Sequence, residues 1–242
     1  MEGGQQVTGS SSGVITMVIT SLFVLLVTAV IYFLTKKLKK SSKRTSLMIA
    51  GISGVGKTSL FLCLQNDHTT ETCTSMVENS GVYKQQVGEN KEKLIDIVDI
   101  PGYGKVRNLF KKYINETKGI LFLVSSVDVK KSVKEDAAYL HDIILNNTQK
   151  VPILVLCNKS EVTLSESEEV IKMLLEKELN KLRKRVAKPG EVISDDDLFM
   201  YGDPDDEFKF AQLDFSVTFA RASVKENDID NAINFINSFE AK

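Results

Sequence analysis

Gly51-Ile52-Ser53-Gly54-Val55-Gly56-Lys57-Thr58 matches every fixed position of the phosphate-loop pattern G-x-x-x-x-G-K-[ST]. Ahead of it, Ser46-Leu47-Met48-Ile49-Ala50 is short and apolar, as a buried parallel strand is. Behind it, Ser59 to Gln65 reads as a buried helix. Strand, glycine loop and helix together give the pattern its chemistry. The glycines let successive N–H groups turn inward toward phosphate oxygens, and the helix N-terminus adds partial positive charge at the same point. Residues Gly51 to Ser59 are therefore candidate phosphate contacts. Lys57 is expected to reach the β- and γ-phosphates and to serve catalysis by neutralising charge, and the Thr58 hydroxyl to ligate Mg²⁺.

The chain has 242 residues with a formal net charge of −1. That near-neutrality hides a segregation. Six of the 31 basic residues (Lys36, Lys37, Lys39, Lys40, Lys43, Arg44) form one run, and only Glu2 among the acids precedes it. From Thr45 onward the chain is acidic, so direct nucleic-acid binding is not expected. Cys63, Cys73 and Cys157 lack metal spacing and read as reduced thiols of a cytosolic domain. Val14 to Leu34 carries no charge over 21 residues, and as a helix would extend about 31 Å, enough to cross a bilayer. The basic run follows this apolar stretch, where a cleaved signal peptide would carry it in front. The expected organisation is a short lumenal tail over 1–13, a transmembrane signal anchor over 14–34, a basic juxtamembrane linker over 35–44 and a cytosolic nucleotide domain over 45–242.

Within that domain, the loop before the second strand contains Thr72-Cys73-Thr74-Ser75, where a threonine sensing the γ-phosphate and Mg²⁺ belongs; Thr74 is the candidate. Gly81 to Val87 reads as an exposed strand, and Lys93 to Val98 as a strand rising into Asp99-Ile100-Pro101-Gly102. In this D-x-x-G pattern Asp99 would hold Mg²⁺ through a water, and the Gly102 N–H would bond the γ-phosphate. A short helix through Leu109 to Tyr113, a strand over Gly119 to Val124 and a helix over Val133 to Leu145 follow. The strand Val151 to Cys157 ends on Asn158-Lys159-Ser160-Glu161, an N-K-x-E where guanine-specific proteins carry N-K-x-D. Asn158 would bond the base, the Lys159 stem would lie along the purine, and Glu161 would accept two N–H bonds, one methylene further out than an aspartate. A long helix from Glu166 to Arg185 is expected to bury Val170, Leu174, Leu175, Leu179 and Leu182. An acidic, solvated insertion over 188–210 comes next. The last strand is expected over Leu213 to Phe219, followed by Ala222-Ser223-Val224-Lys225, in which Ser223 and the Val224 N–H would complete guanine recognition, and by an amphipathic helix from Ile229 to Phe239.

The alternation gives a doubly wound, mostly parallel α/β sheet with its site at the carboxyl ends of the strands. The ordered set of phosphate loop, Thr74, D-x-x-G, N-K-x-E and S-V-K resembles the Arf/Sar branch of the Ras-type GTPases, which implies a small-GTPase G domain. With a spanning helix in place of a lipidated N-terminus, it resembles the β subunits of the signal recognition particle receptor. Leu175 to Arg183, the insertion after it, and Glu207-Phe208-Lys209-Phe210-Ala211-Gln212-Leu213 agree with that family. The resemblance implies GTP/GDP and Mg²⁺ as cofactors. It also implies a receptor α subunit as partner at the endoplasmic reticulum membrane, and indirectly the ribosome and translocon. Tyr103 departs from the pattern: it follows Gly102, where the family uses His and Ras-type proteins Gln to orient the attacking water, and a phenol is bulkier and a poor base near neutral pH. Slow or partner-stimulated hydrolysis is expected, with a nucleotide-binding scaffold as the alternative. A P-loop kinase or ATPase would leave N-K-x-E and S-V-K without a use.

Overall fold

A computed structural model describes residues 17–28, 46–66, 76–86, 92–186 and 206–240. The chain divides into two compact units, Met1–Lys43 and Arg44–Lys242.

In the first unit, residues 17–28 form helix α1, which exposes all its described side chains. Leu25 and Phe23 are 69% and 67% exposed. The hydroxyls of Thr20, Ser21 and Thr28 donate to the carbonyls of Met17, Val18 and Leu25, so the helix satisfies its own polar side chains. The rest of the expected span lies outside the described residues. Among the described residues, no helix is long and apolar enough to cross a membrane.

In the second unit, six strands form one sheet: β1 Ser46–Ala50, β2 Asn79–Gln86, β3 Glu92–Asp99, β4 Thr117–Ser125, β5 Ile153–Asn158 and β6 Val217–Arg221. Their order is β2-β3-β1-β4-β5-β6, with β2 antiparallel to β3 and every other pairing parallel. The central strands β1, β4 and β5 are apolar and almost wholly buried, as strands covered on both faces must be. At the β2–β3 end one face is open: Ile95 and Ile97 are buried while Leu94 is 63% exposed. From β1 the chain proceeds to β3 on one side and later to β4 on the other. The carboxyl end of β1 is therefore the switch point where such sheets place a ligand.

The helices are α2 Lys57–Asn66, α3 Phe110–Tyr113, α4 Val129–Asn146, α5 Glu168–Val186 and α6 Asp230–Asn237. Helix α4 begins a turn earlier than the apolar spacing from Val133 suggests, because Val129 is itself core. Helix α5 centres its buried face on Ile171, Leu175 and Leu179; Val170, Leu174 and Leu182 are only half-buried.

Two expectations need correction. The acidic insertion does not extend to residue 210. Residues 188–205 lie outside the described residues, but Phe208 and Phe210 are core side chains, their rings 5.3 Å apart. Buried Glu176 on α5 accepts from the Phe210 N–H at 3.1 Å and from Lys209 Nζ at 3.3 Å, and Arg183 reaches the Asp206 carbonyl. This stretch is stitched to α5. The last strand also starts later than Leu213: Leu213 and Phe215 bury without pairing after a short 3₁₀ turn at Phe210–Gln212. Burial there comes from packing against the core, and only Val217–Arg221 forms the ladder with β5.

Candidate nucleotide site

The loop between β1 and α2 folds as its glycines require. Gly51 has φ +141°, and a Cβ there would lie 2.4 Å from the Leu123 carbonyl oxygen, so no other residue fits. The Lys57 side chain curls back over the loop and donates to the Ile52 carbonyl at 2.7 Å, with only 6% of the residue exposed. Burial lowers its pKa, and the carboxylates Asp99 and Asp136 oppose that shift. An ammonium enclosed over a glycine-rich loop at a helix N-terminus suits an anion.

Strand β3 delivers Asp99 to the same place. Its Oδ2 accepts from Thr58 Oγ1 at 2.8 Å and from Asn79 Nδ2 at 3.0 Å, and its Oδ1 is buried with no hydrogen-bond partner among the described residues. Desolvation raises the Asp99 pKa, against the bonds from Thr58 and Asn79 and the charge of Lys57. A hydroxyl and an unsatisfied carboxylate oxygen side by side are the hard-oxygen donors that Mg²⁺ takes. The residues fit the ion. Gly102 lies against the phosphate loop itself: an added Cβ would sit 2.4 Å from the Ile52 carbonyl carbon and 2.5 Å from the Ser53 nitrogen. Tyr103, next in the chain, is 42% exposed.

On the other side, Asn158 at the end of β5 joins three segments. Its Nδ2 donates to the Val55 carbonyl at 2.8 Å, and its Oδ1 accepts from the Val224 N–H at 3.0 Å, so its amide orientation is fixed by its neighbours. Glu161 is held as well, since Ser223 Oγ donates to its Oε2 at 2.7 Å. This bond engages one of the two carboxylate oxygens. Lys159 adopts φ +65° and places its Nζ 3.3 Å from Asp128 Oδ2, which also accepts from Ser125 Oγ.

The structure thus gathers Gly51 to Ser59, Asp99, Gly102, Asn158, Lys159, Glu161, Ser223 and Val224 around one end of the sheet. Thr72, Cys73, Thr74 and Ser75 lie outside the described residues. Cys63 and Cys157 are buried reduced thiols, and Cys73 again lies outside. Sequence reasoning missed three side chains. Asn79 supports Asp99, Asp128 supports Lys159, and Asp136 is a fully buried carboxyl on α4. Only Asp136 left a signal, a carboxylate on the helix face shared by Val129, Val133, Ala137 and Leu140.

The family model of the signal recognition particle receptor beta subunit matches residues 41–217. The chain belongs to that family. It is 33% identical to the signal recognition particle receptor subunit beta of Dictyostelium discoideum over 211 residues, covering 82% of this chain and 71% of the relative. The structure of the mammalian SRP receptor superposes with a TM-score of 0.69 at 28% identity, covering 79% of this chain and 97% of that one. The SRb-GTP/SRX complex of Chaetomium thermophilum superposes at 0.64 and 20% identity, covering 80% and 97%, and shares the fold. This receptor β-subunit chain is accordingly a G domain of the Arf-like type, with a mostly parallel sheet.

Proposed function

We propose that this β subunit binds GTP with Mg²⁺ and, in that state, holds the receptor α subunit at the endoplasmic reticulum membrane for co-translational targeting. The observation that supports it best is the convergence of buried Lys57, the Thr58–Asp99 pair and the Asn158–Val224 bond on one pocket. Loop amides and Lys57 bind the phosphates, Thr58 and Asp99 hold the ion, Thr74 and the Gly102 N–H meet the γ-phosphate, and Asn158, Lys159, Glu161 and Val224 read the base. Bound Mg²⁺ supplies charge neutralisation on the β- and γ-oxygens. Contacts to Thr74 and Gly102 order the two loops that carry them, which is how a γ-phosphate becomes a docking signal. The indirect partners are the ribosome and translocon. The SRb-GTP/SRX complex of the Chaetomium relative supports guanine nucleotide binding and an α-subunit partner.

Residues 14–34 anchor the chain in a single pass with the G domain cytosolic. The self-satisfied hydroxyls and outward apolar side chains of α1 suit a lipid surround. Chromatography of nucleotide released from the purified chain tests the main reading. GTP or GDP is expected, and a chain that is empty and stays empty with guanine nucleotide and Mg²⁺ overturns it.

One observation favours a second reading, a nucleotide-holding scaffold with little hydrolysis. The half-exposed Tyr103 stands where a water-orienting group belongs. Release of labelled phosphate separates the two, and turnover well above blank removes the scaffold reading.

A further inference from the structure

Among the described non-glycine residues, Lys150, Lys159 and Asn227 have positive φ. Two of the three flank the base side of the pocket. Asn227, at φ +60°, turns the loop that carries Ser223 and Val224. That loop is closed on itself: Ser223 and Asp228 exchange both backbone bonds at 2.9 Å, and the Asn227 N–H donates to the Val224 carbonyl at 3.3 Å. An asparagine in the left-handed region usually bends its side-chain oxygen onto its own loop. Here Oδ1 reaches across to α2 and accepts from the Cys63 thiol. Cys63 is buried and lies on the helix that begins with Lys57. One side-chain bond therefore ties the phosphate helix to the loop that carries Val224, whose N–H donates to Asn158 Oδ1 at 3.0 Å.

Resting on the guanine-nucleotide reading above, we propose that Asn227, anchored by Cys63, is a positioning residue for the Val224 amide and sets discrimination at the O6 edge of the purine. Ser223, which holds Glu161, shares this loop but sits beside Ala222, whose N–H donates to the Cys157 carbonyl at 3.0 Å, so that reading group has a second anchor at the end of β5. Loss of the anchor should therefore affect O6 selectively and leave recognition of the N1 and N2 edge in place. A thiol is a weak donor, so the effect is a several-fold change.

The test uses the full-length chain and three probes: GDP, 6-thio-GDP, whose main change is at the O6 edge, and IDP, which lacks the exocyclic amine assigned to Glu161. Asn227→Gly keeps the left-handed turn accessible and removes the anchor; Cys63→Ala removes its donor, and Cys63→Ser restores one. In Asn227→Gly and Cys63→Ala the preference for GDP over 6-thio-GDP should narrow about threefold to fivefold, the worth of one modest hydrogen bond. GDP over IDP should be unchanged, and Cys63→Ser should keep the wild-type ratios. Equal loss of both ratios, or no change in either, overturns the proposal. A wild-type chain that does not distinguish GDP from 6-thio-GDP overturns instead the reading of Val224 on which it rests.

Discussion

The two ends of the pocket are built by different means. At the end proposed for phosphate the groups on offer are main chain and one enclosed ammonium, that of Lys57. Gly51 and Gly102 sit so close to backbone atoms, 2.4 Å from a built Cβ in each case, that nothing else can stand there. At the base end side chains hold one another: Asn158 spans Val55 and Val224, Ser223 holds Glu161, and Asp128 meets Lys159. A phosphate presents the same charge in every nucleotide, so a rigid receptor without adjustable parts suits it. Choosing among bases is a difference of affinities and needs groups aimed at particular edges. On the proposed reading, the contrast leaves room for a glutamate at 161, whereas Gly102 has no substitute. A side-chain network absorbs a methylene, and a backbone contact cannot.

The largest break in this contrast should come at the phosphate end. Lys57→Ala removes the buried cation, and truncating one partner of a buried charged contact costs about 2–5 kcal/mol. GTP affinity, read by equilibrium titration, should drop a hundredfold or more while the chain remains folded. Weakening below tenfold would mean that Lys57 does not face the phosphates. At the base end, Glu161→Gln keeps the shape and replaces one acceptor by a donor. A hydrogen bond to a charged group is worth roughly 1.5–3 kcal/mol, so GTP should bind about ten- to a hundredfold more weakly. ATP, whose edge Glu161 does not match, should be little affected. If ATP and GTP both weakened alike, Glu161 would be a structural residue only. A smaller effect is expected at Tyr103, where Tyr103→His should raise single-turnover hydrolysis and leave affinity unchanged. An unaltered rate would remove Tyr103 from the account of slow turnover.

Legibility in the sequence follows the same division. The phosphate end is local: strand, glycines, Lys57 and Thr58 are contiguous, and Asp99 and Gly102 sit at fixed offsets on the next buried strand. Such features are written in residue order and could be read directly. The base end was legible in its motifs but not in its bonds, because Ser223 to Glu161 and Asn227 to Cys63 join residues 62 and 164 positions apart. Asn79 and Asp128 left no pattern, since each acts through one hydrogen bond made possible only by strand order. The stretch around Phe208 failed for another reason. Its acidic neighbours dominate the composition, yet two phenylalanines and the carboxylate of Glu176 decide its place in the core.

Asp136 belongs to neither end and offers the finest test. It is fully buried on α4, Ser132 Oγ donates to its Oδ2 at 2.7 Å, and its Oδ1 has no hydrogen-bond partner among the described residues. Desolvation pushes its pKa up from 3.8 to about 7, against the bond from Ser132 and the charge of Lys57 and with the charge of Glu135. The sign then follows. Between the unfolded and folded pKa values the folded chain keeps a proton that the unfolded chain has released, so this group's contribution to stability declines as pH rises. The decline is at most about 1.4 kcal/mol per pH unit through that window and ends above pH 7, where the buried carboxylate carries its full penalty. Asp136→Asn preserves shape and removes the charge. Its thermal midpoint should exceed the wild type's by a small margin near pH 5 and by a few degrees more at pH 8, with nucleotide and Mg²⁺ held constant. A difference of the same size at both pH values would show that the carboxyl is not protonated in the fold, and that the enclosed ammonium of Lys57 pairs with it across the base of the phosphate loop.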